Sequence, residues 1–123
     1  TAEEHFAPFE RLTDEEEVVF LRSALNDERD PDAYLRTKQR YLERNLAALH
    51  EAFEAEGTPE AQGTMRLFRR YMVADRNRGM VDRAMPLLEK GGTFVAVGAL
   101  HLPGEEGMLR LLELRGYRIT RLY

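Results

Sequence analysis

One histidine in this chain stands where an imidazole can do chemistry. His101 follows a β-branched run at 93–97 (Thr-Phe-Val-Ala-Val) and Gly98, and it precedes Pro103, Gly104 and Gly107. A neutral imidazole ligates zinc, manganese or cobalt, and a loop at a strand end holds it rigidly. Gly98 lets backbone or ligand approach more closely than a residue with a Cβ would. The plainer reading is that His101 only caps the turn by a hydrogen bond to backbone. A catalytic zinc takes three protein ligands and keeps a position open for water. This chain offers one convincing ligand, so a complete site draws on residues from elsewhere. Glu105 and Glu106 come soon after. A carboxylate there can ligate, or act as general base on a metal-bound water, or simply complement the start of a helix. The turn at 104–107 can also receive an anion or a carboxyl terminus, with Gly104 as its contact.

Arg76 and Asn77 lie upstream, next to Asp75. An arginine offers a planar fork for carboxylate, phosphate or a developing oxyanion, and an asparagine offers both a donor and an acceptor. Asp75 is placed to hold the arginine. By residue type alone, Arg-Asn on a charged helix is equally a solvent-facing feature. The same dipeptide at Arg44-Asn45 lacks a following strand and reads as helix surface. His50, beside Leu49, reads as a surface or boundary residue. His5 gains no support from its surroundings.

These side chains need elements to hold them. Thr13-Asp-Glu-Glu16 is a capping box, and Val18, Leu21 and Leu25 follow at helical spacing, which predicts a first helix to about residue 25. Asp30-Pro31 starts a second, long helix carrying Tyr34, Tyr41, Leu42, Leu46, Leu49 and Phe53 and ending near Gly57. Thr58-Pro59 starts a third, with Met65, Phe68 and Met72 on its apolar stripe. Asp75 caps a further helical stretch through Met80, Ala84 and Leu87, which Pro86 should bend and Gly91-Gly92 should end. Tyr34, Tyr41, Tyr71 and the methionines at 65, 72, 80 and 85 read as core. A strand at 93–97, a helix from Glu105 that stops at Gly116, and a strand at 117–122 then make a βαβ unit. The expected class is α/β: three to four helices, then one βαβ unit. Two strands are too few for an independent sheet, so the unit should be half of a larger α/β domain. The remaining strands would come from a missing N-terminal half or from a second copy of the chain. Exposed strand edges invite self-pairing, which predicts a homodimer.

Composition narrows the function classes. The chain has 123 residues, read as one domain, 1–123, with a net charge of −4. That balance disfavours nucleic acid or an anionic membrane as the main partner. No apolar run reaches the 18 or so residues of a membrane span. Without cysteine there is no thiolate site and no disulfide. The one serine, Ser23, sits in a charged helical stretch, which argues against a serine hydrolase built within this chain. No Walker loop, dinucleotide fingerprint or His-Glu-x-x-His is present.

Gly98-Ala-Leu-His101-Leu-Pro-Gly104-Glu-Glu-Gly107, the following helix to Arg115, and Gly116-Tyr117 resemble the C-terminal signature of the TraB/PrgY/GumN family, which is related to the Tiki metalloproteases. Asp75-Arg76-Asn77 with Met80 is similar to the family's Arg-Asn marker. The resemblance implies a metal-dependent hydrolase, with peptides as a substrate class, in which this chain supplies His101 as metal ligand and Arg76 and Asn77 as substrate or transition-state contacts; Glu105 is the candidate catalytic carboxylate by residue type. It implies Mn, Co or Zn as cofactor, an upstream half carrying a second Gly-x-x-His, and a periplasmic or exported setting. A second implication is a non-catalytic module of the pheromone-shutdown type, which captures a peptide or other small molecule without metal.

Overall fold

The computed structural model describes residues 3, 6–27, 32–55, 57 and 59–122. His5, and Asp30, Pro31 and Thr58 with which helix starts were expected, lie outside the described residues. Helix α1 runs Asp14–Asp27, α2 Ala33–Leu42 and α3 Leu46–Ala55. Helix α4 is continuous through Gln62–Arg69, a wide π-type turn at Arg70–Ala74, and Asp75–Leu88. Helix α5 is Met108–Leu114, and 3₁₀ turns occupy Phe9–Arg11, Pro59–Ala61 and Ala99–His101.

The start of α1 follows its sequence. Thr13 Oγ1 accepts from the Glu16 amide at 3.3 Å, and Glu16 Oε2 accepts from the Thr13 amide at 2.9 Å. Both halves of the capping box are made. The expected long second helix is two helices instead. Arg44 takes a left-handed φ of 56°, and Asn45 Oδ1 then accepts from the Ala48 amide at 3.0 Å. Asparagine caps because its short side chain reaches the orphan amides of a helix start. Arg44-Asn45 is therefore a break between α2 and α3, not helix surface. Conversely, the third and fourth expected helices are one, because the Asp75 amide bonds Arg70 O and carries the chain through the π turn without a cap.

No strand occurs among the described residues, so the α/β class is overturned and this is an all-helical chain without a βαβ unit. At 93–97 the Thr93 hydroxyl donates to Leu87 O at 2.9 Å, satisfying the end of α4 rather than opening a ladder. Phe94 is 91% exposed and Leu122 84%. The physical reason lies in the partner that strand propensity presumes. β-branched residues favour strands by packing against cross-strand neighbours, and neither segment has one among the described residues. The C-terminal helix also starts later than expected, at Met108, after Gly107. It ends as the sequence requires. Gly116 has φ 88°, its amide bonds Glu113 O at 2.9 Å, and the Tyr117 amide bonds Leu112 O at 3.1 Å, the pair of bonds that closes a Schellman motif.

The core is small. Leu12, Leu49, Ala61, Met65, Ala74, Val81 and Met108 are buried, and Phe9, Phe20 and Phe68 form an aromatic cluster whose closest ring centroids are 4.3 Å apart. Tyr34 and Tyr41 were expected in the core and are exposed, as are Val18, Leu21 and Leu25 of α1. The Ser23 side of α1, not its Leu21 side, turns inward. Ser23 is 2% exposed, with Gly57 and Met65 beside it.

Candidate functional site

The Ala99–His101 turn packs between α3 and the π turn of α4, and the C-terminal half of α4 packs on α5. Helix α4 therefore presents Arg76 and Asn77 to the loop that carries His101. A π turn is a frequent device at functional sites, because the extra residue re-aims the side chains that follow it. The loop closes on itself through His101 N to Gly98 O, Leu102 N to Ala99 O, Gly107 N to Gly104 O, and Leu109 N to Leu102 O. At Gly107 a Cβ would fall on the carbonyl oxygens of Pro103 and Leu102, so no larger residue fits the turn as it stands.

Asn77 is fully buried, and its amide is committed at both ends. Nδ2 donates to Glu106 O at 2.7 Å, and Oδ1 lies 2.7 Å from His101 Nδ1. A carbonyl only accepts, so the amide nitrogen must face Glu106. Oδ1 then accepts from His101, which requires the proton on Nδ1. In the neutral imidazole this selects the tautomer that leaves Nε2 as an unprotonated lone pair. Burial lowers the His101 pKa below the usual 6.5, and the nearby Arg76 cation lowers it further. Both effects keep the ring neutral and able to accept. Arg76 itself is half-buried and has no ion-pair or hydrogen-bond partner among the described residues.

The acids fall differently from expectation. Asp75 does not hold Arg76. It pairs with Arg78 at 2.8 Å and Arg11 at 3.3 Å, and Arg11 also lies over the Tyr71 ring. Glu106 pairs with Arg78, tying the loop to α4 a second time. Glu105 is solvent-exposed and pairs with Arg110 at 3.6 Å, not with His101, Asn77 or Arg76. Because α5 starts at Met108, neither glutamate sits in its first turn. Gly98 has an ordinary φ of −60°, and a Cβ there would meet only His101 Cδ2 at 3.7 Å. Gly104 is more constrained. Its φ is 86°, and a Cβ would come within 2.8 Å of His50 Nε2.

His50 is thus half-buried against the His101 loop, a boundary residue. It also lines a cleft of about 960 Å³ that Leu100 and 103–107 share with α3 and the first half of α4. The cleft does not include His101, Asn77 or Arg76. The same loop serves both places. The arginines of this cleft, Arg66, Arg69 and Arg70, went unremarked in the sequence, although their i, i+3, i+4 spacing already placed them on one helix face.

Comparison with known families now decides the assignment. The TraB/PrgY/gumN family model matches residues 1–121. The chain belongs to that family. No curated protein and no solved structure matches this TraB/PrgY/gumN chain. The family's match covers the Arg76-Asn77 pair and the His101 loop alike, and these are the residues that the fold brings into one hydrogen-bonded network.

Proposed function

We propose that this chain contributes His101 Nε2 as one ligand of a metal-dependent hydrolase centre with peptides as the substrate class. The observation that supports this most directly is the Asn77 amide, which holds the proton on His101 Nδ1 and leaves Nε2 as a lone pair. Metal-ligating histidines are commonly oriented in this way through their other ring nitrogen. One neutral imidazole suits Mn, Co or Zn. Among the described residues no three His, Cys, Asp or Glu side chains converge, so the further donors belong to another segment or a second copy. A bound metal would lower the pKa of a water molecule and so supply a nucleophile. Arg76, half-buried and unpartnered among the described residues, would steady negative charge developing on the attacked group. Asn77 would hold the histidine rather than touch substrate.

The relation to the Tiki metalloproteases, and the placing of this chain as the C-terminal portion of a larger domain, form part of the same proposal. The placing draws on the exposed apolar side chains Phe94, Val95, Ile119 and Leu122, which are suited to pairing with another segment or a second copy. Elemental analysis after manganese, cobalt or zinc loading tests the ligand assignment on the parent and on His101→Ala. Metal retained by the parent and lost from the variant is the expected outcome. Equal metal in both would remove His101 from the site, and saturable peptide capture that survives strong chelation would favour the sequestering reading instead.

A further inference from the structure

The 960 Å³ cleft carries an electrostatic imbalance that its composition hides. Four carboxylates line it, and each already has a partner. Glu16 accepts from the Thr13 amide, Glu54 pairs with Arg69 at 3.6 Å, Glu105 with Arg110 at 3.6 Å, and Glu106 with Arg78. Arg69 is buried and also donates to Phe53 O at 3.1 Å. Arg66 and Arg70 differ: neither has an ion-pair or hydrogen-bond partner among the described residues. Their spacing sets both guanidinium groups on the same side of α4. Beside them the cleft is apolar, with Phe53, Leu67, Val73 and Leu100 in its lining. An acidic chain thus carries two unengaged cations next to an apolar wall.

We propose that this cleft binds an amphiphile bearing a single carboxylate, the carboxylate held by Arg66 and Arg70 and the apolar body lying along Phe53, Leu67, Val73 and Leu100. The arginine fork matches carboxylate geometry. A dianionic phosphate would meet the four lining carboxylates with twice the repulsion, which favours the monoanion. The volume lies within the range of small-molecule sites. The carboxylate can come from an acyl chain or from the free C-terminus of an apolar peptide. This site is independent of the chemistry proposed at His101.

Calorimetric titration of the full chain with three probes tests it: octanoate, an N-acetylated apolar hexapeptide with a free C-terminus, and the same peptide as its amide. Saturable binding of octanoate or the peptide acid is expected, with the amide silent, excess chelator without effect, and affinity weakened roughly tenfold by the exposed pair Arg66→Ala/Arg70→Ala. Octanoate alone would identify an acyl ligand, and the peptide acid a peptide terminus. Should the alanine pair lose helix by circular dichroism, Arg66→Lys/Arg70→Lys keeps the charge but loses the forks, and weaker binding is again expected. The proposal is overturned if neither carboxylate binds, if the amide binds as the acid does, or if a folded variant binds as tightly as the parent.

Discussion

Asn77 does at residue scale what a ligand list would miss: it decides which nitrogen of His101 carries the proton. Removing its amide leaves Glu106 O and His101 Nδ1 without their partner in a partly buried place. Asn77→Ala should therefore cost about 2–3 kcal/mol in chemical denaturation. In ¹⁵N NMR the parent should show the Nδ1–H tautomer of His101, and the variant a mixture. A parent spectrum dominated by Nε2–H would refute the arrangement. The pH response follows from the same contacts. The folded His101 pKa is lowered by burial first and by Arg76 second, whereas the unfolded chain protonates near the ordinary value of about 6.5. Below that value the unfolded state takes up the proton more readily, so this contribution is intact above about 6.5 and is lost as pH falls towards the folded pKa. Melting of the metal-free parent should accordingly show a larger loss from pH 7 to 5 than melting of His101→Gln. Arg76→Gln should raise the His101 pKa, read from ring-proton NMR shifts, and an unchanged titration would place the arginine too far away to matter.

At the scale of elements, the loop at 98–107 is held from both sides, by Asn77 and Arg78 of α4 and by His50 of α3. Gly107 is its tightest point. Gly107→Ala has to displace the carbonyls of Pro103 and Leu102, with an expected loss of about 3 kcal/mol by denaturant titration. The contrasting Gly98→Ala meets only ordinary contact and should cost well under half as much. The helix boundaries show what was legible at this scale. The Thr13–Glu16 box and the Gly116 stop were readable because the few atoms that make them are neighbours in sequence. The break at Arg44-Asn45 was also written locally, as an asparagine before an apolar run, but the unbroken periodicity of leucines and tyrosines outweighed it. The π turn at Arg70–Ala74 leaves no comparable mark, since it depends on how the long helix packs against the loop.

At the scale of the whole molecule, the described residues cover little of their apolar surface. Phe94, Val95, Ile119 and Leu122 are exposed together with Tyr34, Leu35, Tyr41 and Leu42. If the residues at 93–97 and 117–122 lie together on a second copy, these side chains are what would be covered. Light scattering at rising concentration should detect a dimer. Phe94→Ser with Leu122→Ser should shift it towards monomer without loss of helix, and a parent that stays monomeric at high concentration would count against self-pairing.

The residues of the His101 network were singled out by type and family resemblance, and which of them meet was set by distance. Glu105 left the group for Arg110, and Asp75 turned to Arg78 and Arg11, because ion pairs follow proximity and not sequence adjacency. The amino-acid sequence by itself determined the family, the capping box, the glycine stop and the candidate histidine, all of which rest on short motifs and local backbone chemistry. Only the tertiary structure decided that 93–97 and 117–122 form no sheet, that Asn77 fixes the His101 proton, and that a cleft with two unengaged arginines lies beside the same loop. A strand needs a neighbour, a tautomer needs a partner on each side, and a cleft needs walls from several helices. Each of these belongs to packing.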